Sequence, residues 1–470
     1  MKIKIYIRYL LGLVTVVLFG CEKMIEINTP LNETPSAAVF TQDRTAMAAL
    51  SGMYAQLTGI NTQTVGLPIY TSLMADDLRY LAASTNIMEY NANSYTTITS
   101  SAEAFTDFYQ VIYRANAIIE GLTNNKGTSE RVSKQLIAEA KLMRAYCYFI
   151  LVNFHGEVPL VLQTDANITA FLPKAAISEI YGSITSDLID AKANLLSDYS
   201  FTTGNRNGVN RFTAAALLAR VYLFTGNYQL AETNASEVIQ QTGLFSMTPT
   251  ATMGTALFVK NSSESIWQLP QSVSATTQVT TEGASFIPAA NNIASLNYDL
   301  RPSFLSLFGA TDRRRTLWMS DLTIAGAPYV VPFKFKYRTN AQAVTANVTE
   351  SQIILRLAEQ YLIRAEARAR LNTNISGALS DLNVTRLRAG LTAITTTDPT
   401  LLLEEIALEN RKEFFCEQAF RWFNLKRTGQ ADVVLPAIKP GWRPAAKLYP
   451  IPLSILDTNP NLTPTTGYSK

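Results

Sequence analysis

The chain is poor in the residue sets that carry covalent chemistry. Its 470 residues hold one histidine, His155, and three cysteines, Cys21, Cys147 and Cys416. A single histidine excludes a multi-histidine metal centre within the chain. No Cys-x-x-Cys pair is present to hold a metal or run thiol exchange. No Gly-x-Ser-x-Gly, Gly-x-Gly-x-x-Gly or Walker loop occurs, so no cofactor and no catalytic nucleophile are expected. The one acidic constellation is Glu405, Glu409 and Glu413, at i, i+4 and i+8. A glycosidase needs two carboxylates flanking the scissile bond, whereas acids so spaced share one helix face. With Arg411 and Lys412 between them, they read as a charged, partly paired surface. His155 lies beside a helix-ending Gly-Glu-Val-Pro turn and reads as structural. Cys147 and Cys416 sit in apolar helical runs and read as buried thiols acting as small hydrophobes, with a bridge between them left open.

Non-covalent binding asks for less. Sugar rings pack their C–H faces on aromatic rings, while amides and charged groups fix the hydroxyls. Two stretches without helical period carry such residues. The first holds Asp76, Asp77, Arg79, Tyr80, Tyr90, Asn91, Asn93 and Tyr95. The second holds Trp267, Phe286, Tyr298, Trp318 and Tyr329. From these the expected ligand contacts are Asp77, Arg79, Tyr80, Tyr90, Asn93, Tyr95, Trp267, Tyr298 and Trp318, with core packing the competing role for each aromatic.

The elements that must position these residues are helical. In Arg211–Gln241, Leu218, Val221 and Tyr222 form one apolar face, and Ala231, Ala235, Val238 and Ile239 form another. Gly226-Asn227 breaks the run between them. The small alanines allow close helix approach, and the spacing fits a tetratricopeptide hairpin. A second candidate hairpin spans Glu359–Leu391. Helical period also covers about 41–57, 104–122, 130–154, 178–196, 351–371 and 401–426. It lapses over 58–102 and 243–349, and residues 430–470 are rich in proline. The expected fold is mostly α: a tetratricopeptide-like helical-repeat scaffold, with an irregular, loop-rich ligand-binding lobe at 58–102 and 243–349. Residues 41–470 would form that domain.

Residues 1–20 read as a lipoprotein signal peptide. A basic start leads into an apolar run from Tyr9 to Phe19, too short for a comfortable membrane span. Leu18-Phe19-Gly20-Cys21 resembles a lipobox, so Cys21 is the expected lipidated residue and 21–40 a tether. Three of the 40 basic residues and none of the acids lie in the leader, which leaves 37 of each sign. That balance shows no nucleic-acid footprint. No later run is long and apolar enough to span a bilayer, so contact with the membrane is expected through the lipid anchor only.

Several blocks together resemble the SusD/RagB family of Bacteroidetes outer-membrane lipoproteins. They are Tyr113 to Asn116, Glu139 to Tyr146 with Phe154 to Leu160, and Leu172 to Lys174. Further blocks are Arg211 to Ala231, Glu409 to Phe414 with Arg421 to Arg427, Leu448 to Pro452, and Asn459 to Thr463 with Gly467-Tyr468. Asn424 stands where that family usually has aspartate, Asn410 where arginine is common, and Pro464-Thr465-Thr466 replaces a Gln-Asn-Pro. The resemblance implies an α/α superhelical fold and a place on the outer membrane facing the cell exterior. It also implies a SusC-like TonB-dependent transporter as partner and capture of an oligosaccharide or peptide without catalysis. The other readings are an extracellular glycan hydrolase and a structural surface lipoprotein without ligand.

Overall fold

A computed structural model describes residues 36–98, 103–124, 127–269 and 277–470. Cys21 and most of the tether lie outside the described residues. Ten helices form the frame: α1 Asp43–Gly59, α2 Glu103–Asn124, α3 Glu130–His155, α4 Ile177–Asn194, α5 Arg211–Phe224, α6 Tyr228–Ile239, α7 Leu357–Leu371, α8 Ile375–Arg388, α9 Pro399–Glu413 and α10 Phe420–Arg427. Each of α2 to α7 packs on the next in order, so α6 meets α7 across the long insertion between them. Stacked hairpins bury faces that none could bury alone.

The central hairpin shows how sequence makes this happen. The Asn210 side chain caps α5, accepting from the backbone N–H groups of Phe212 at 2.9 Å and Thr213 at 3.0 Å. Every residue from Phe212 to Leu223 is buried, so α5 is enclosed all round rather than amphipathic. Gly226, at φ +75°, turns the chain into α6.

The insertions are more ordered than their lack of period suggests. Thr62–Tyr70 is a wide π-type helix containing Pro68, and Thr85–Ala92 is a short α-helix. Among the described residues six strands pair antiparallel as three ladders: β1 Leu78–Tyr80 with β3 Tyr298–Leu300, β2 Ser265–Gln268 with β6 Ile353–Arg356, and β4 Met319–Ile324 with β5 Ala327–Pro332. The β4–β5 hairpin turns at Ala325 and Gly326, both with positive φ.

The expected helix over 401–426 is broken. It stops at Glu413 and resumes at Phe420, and Cys416, Gln418 and Ala419 between them take left-handed φ values of 55°, 38° and 61°. The break turns Glu413 and Glu417 into a buried ionic spine. There Arg314, Lys334, Arg356, Arg388 and Lys412 meet Glu264, Asp312, Glu409, Glu413 and Glu417. Glu409 and Glu413 have no exposed surface, so they belong to the interior and not to a charged surface. Cys147 and Cys416 are buried free thiols.

Candidate functional site

The β1–β3 ladder joins the two aromatic stretches. Arg79 faces Asp299 and Tyr80 faces Tyr298 across it. Strand pleating puts Tyr80 and Tyr298 on the face of Leu78 and Leu300, and Arg79 and Asp299 on the other. On the tyrosine face, Tyr298 packs against Tyr80 with ring centroids 5.5 Å apart, and against Phe286 at 5.7 Å. Tyr70, at the end of the π-type helix, stacks on Tyr90 at 4.4 Å and 18°. Behind it Tyr95 meets Tyr449 edge-on at 5.0 Å.

The cluster has an inside and an outside. Tyr90, Tyr95, Tyr298 and Tyr449 are buried, while Tyr70 and Tyr80 are half-buried. Burial pushes the Tyr95, Tyr298 and Tyr449 phenols far above their ordinary range, so they stay neutral. Asn91 accepts a hydrogen bond from the Tyr80 backbone N–H at 3.2 Å and pins the rim strand. The Arg79 side chain is 38% exposed and pairs with Asp299, whose other oxygen accepts from Val330 N at 2.8 Å.

The other expected contacts lie deeper. Trp267 and Trp318 are fully buried. Trp267 meets Tyr146 edge-on at 5.1 Å, and the Trp318 indole N–H donates to the Met253 carbonyl at 3.1 Å. Tyr95 has no exposed surface either, and its hydroxyl donates to the Ala446 carbonyl. In this conformation these three rings have nothing to offer a ligand, because their large apolar area is spent in the core. Asn93, buried at φ 55°, closes the Thr85–Ala92 helix as its left-handed cap. Asp77 is buried and accepts from Arg411 Nε at 2.8 Å, and burial pushes its carboxyl up. Asp76 takes Arg421 Nε at 2.7 Å. Arg421 therefore pairs with the lobe, while Arg427 pairs with Glu366 of α7 at 2.8 Å and also donates to Asn424 Oδ1 within its own helix at 2.8 Å.

Two members of the cluster escaped the sequence reading. Tyr70 sits in a stretch read as loop, where Pro68 and the wide helical turn hide any 3.6-residue period. Tyr449 comes from the proline-rich tail. The only signal for either was being a tyrosine.

Chemically, the rim can stack a flat apolar face and hydrogen-bond polar groups around it. His155 is buried, and burial pushes it down to about 3, so it is neutral and enclosed. Among the described residues no cluster of three imidazole, thiol or carboxylate groups is placed to hold a metal ion, and no described helix is long and apolar enough to cross a membrane.

A stack of helical hairpins carrying an irregular lobe with an aromatic rim defines a tetratricopeptide-like binding scaffold. Residues 34–223 match a family model described as "Starch-binding associating with outer membrane", and residues 321–468 match the SusD family model; the chain belongs to the SusD/RagB family. A SusD-like protein from Formosa agariphila is 25% identical, over 94% of this chain and 95% of its own. A second from that organism is 26% identical over 90% of each. Among solved structures, a laminarin-binding SusD-like protein superposes with a TM-score of 0.78 at 22% identity, over 90% of this chain and 99% of its own. Surface glycan-binding protein A from Bacteroides uniformis gives 0.76 at 19% identity, over 90% and 99%.

Proposed function

We propose that this protein captures a glycan outside the cell and passes it to a SusC-like TonB-dependent transporter, without chemical turnover. The observation that carries the reading is the pair of half-buried tyrosines, Tyr80 on the β1–β3 ladder and Tyr70 stacked on Tyr90, at the edge of a buried tyrosine cluster drawn from distant stretches. Aromatic rings at the edge of such a cluster suit the C–H face of a sugar ring. The carboxylates that a hydrolase reading would use, Glu409 and Glu413, are buried against arginines and cannot flank a substrate. The laminarin and glycan named for the two structural neighbours support the same class of ligand. Lipidation of Cys21 would hold the chain at the outer membrane, and the tether would let the lobe reach a transporter mouth.

The test is calorimetry of the purified chain with a panel of neutral and acidic oligosaccharides and peptides. One selective glycan should bind and be recovered intact after prolonged incubation. Tyr80→Ala should weaken that binding about tenfold or more, the size of one lost stacking contact. Shortened products would establish a hydrolase instead, and a peptide hit would move the ligand class. Loss of membrane association in Cys21→Ala, and co-purification of the unaltered chain with an outer-membrane transporter, would test the anchor and the partner.

A further inference from the structure

One cavity lies away from the tyrosine rim and has no role in the reading above. α2 supplies its floor with two parallel rows. Phe105, Tyr109 and Tyr113 stand at i, i+4 and i+8, and Thr106, Gln110 and Arg114 follow one residue on. The cavity holds about 700 Å³, inside the roughly 300–1,000 Å³ typical of small-molecule sites. Pro159, after α3, and Leu462, in the C-terminal segment, help close the far side.

The walls are held in place. The Tyr109 hydroxyl donates to the Pro159 carbonyl at 2.5 Å, and its ring lies 4.9 Å from Phe105. The mouth is open and polar. Tyr113 is 58% exposed. Gln56 donates one amide hydrogen to Gln110 Oε1 at 2.8 Å, which leaves the Gln56 carbonyl and the Gln110 amide hydrogens for another partner. Arg114 has no carboxylate within ion-pair distance among the described residues, and no acid lines the cavity. The rim is a separate place: from Phe105 the ring contacts run through His155 and Tyr449, both buried, before reaching Tyr90 beneath Tyr70.

The geometry points to a second saccharide site here, taking an acidic sugar unit such as a uronic acid. Tyr113 and Tyr109 offer ring faces, the glutamines offer one acceptor and one donor, and Arg114 offers a fork for a carboxylate. A neutral sugar would leave that guanidinium unused. The assignment does not depend on the tyrosine rim binding anything.

The experiment titrates the purified full chain with oligogalacturonate, and with a laminarin-derived oligosaccharide as the neutral control, by calorimetry. Each titration is repeated in Tyr80→Ala, which weakens the rim. Oligogalacturonate should bind the Tyr80→Ala chain as well as the unaltered one. Tyr113→Ala should weaken it about tenfold or more. Arg114→Gln should abolish the preference over the neutral sugar, and both variants should keep the thermal midpoint. Absence of oligogalacturonate binding, or binding indifferent to Tyr113→Ala and Arg114→Gln, overturns the site. Equal binding of the neutral sugar overturns the acidic class. If the two variants instead abolish only transporter co-purification, the face is a protein interface and the proposal fails. Loss of all binding in Tyr80→Ala alone would leave a single site at the rim and also overturn it.

Discussion

At the scale of single residues, burial decides role. Tyr80 and Trp318 are both aromatics in irregular stretches, yet one is half-exposed and the other has no surface. Trp318→Ala should cost about 3–5 kcal/mol of stability, as large-to-small core changes do, and show in the urea midpoint. Tyr80→Ala should leave that midpoint nearly unchanged while weakening binding. Burial also sets a pH dependence. It pushes Glu139 up to about 7, against the opposing hydrogen bonds from Tyr54 and Gln135, and it pushes Glu282 to about 7 as well. The folded chain keeps these protons where the unfolded chain has released them. Their contribution is therefore full below the unfolded value of 4.5 and is lost as pH rises through about 7. The thermal midpoint should fall between about pH 5 and 6.5, because these two carboxyls outweigh the opposite effect of buried neutral His155, and the range lies below the window in which buried lysines such as Lys426 titrate. Glu139→Gln should shrink that fall. An unchanged slope in Glu139→Gln would show that this carboxyl does not hold the proton.

At the scale of elements, the α9–α10 break is the informative departure from pattern. Apolar period runs through Phe414, Phe415 and Phe420, so the sequence reads as one helix. The structure instead places three non-glycine residues in the left-handed region, which costs on the order of 1 kcal/mol each. The aromatic and ionic burial of 414–417 outweighs that cost, and such a long-range gain has no local signature. The break also brings α10 beside α9, so that Asn424 donates to Asn410 Oδ1 at 2.9 Å. These are the two positions where the resemblance implies aspartate at 424 and arginine at 410. Asn410→Arg and Asn424→Asp should each destabilise alone and rescue one another together, with a coupling of about 1–3 kcal/mol in a double-mutant cycle. Additive effects would mean the positions are energetically independent.

At the scale of the whole molecule, the ionic spine joins the insertions to the repeats. Glu264, Arg314 and Lys334 come from the insertion. Arg356 ends β6, Arg388 ends α8, and Glu413 ends α9. Burial opposes the charge of Glu413, but Arg388, Arg356 and Arg314 around it hold its carboxyl well below the usual range. Glu413→Gln would leave three buried guanidinium groups short of an acceptor. It should cost about 3–5 kcal/mol and lower the midpoint of the whole chain rather than of one lobe. Two separate transitions in the unaltered protein would argue that the spine does not couple the lobes.

The residues alone determined the helical scaffold, the absence of catalytic motifs and the two stretches from which the rim is drawn. Hairpin period, caps such as Asn210 and stops such as Gly226 act over a few residues, so they are legible in order along the chain. Which tyrosines face outward was decided only in three dimensions. The β1–β3 pairing joins residues far apart in sequence, and the pleat then assigns Tyr80 and Arg79 to opposite faces. The same holds for the α2 cavity, whose floor is one helix but whose far side comes from the turn after α3 and from the C-terminal segment. Side-chain type and local period set what each segment can become. Contacts across the chain set which rings are sealed in the core and which are left at the surface to bind.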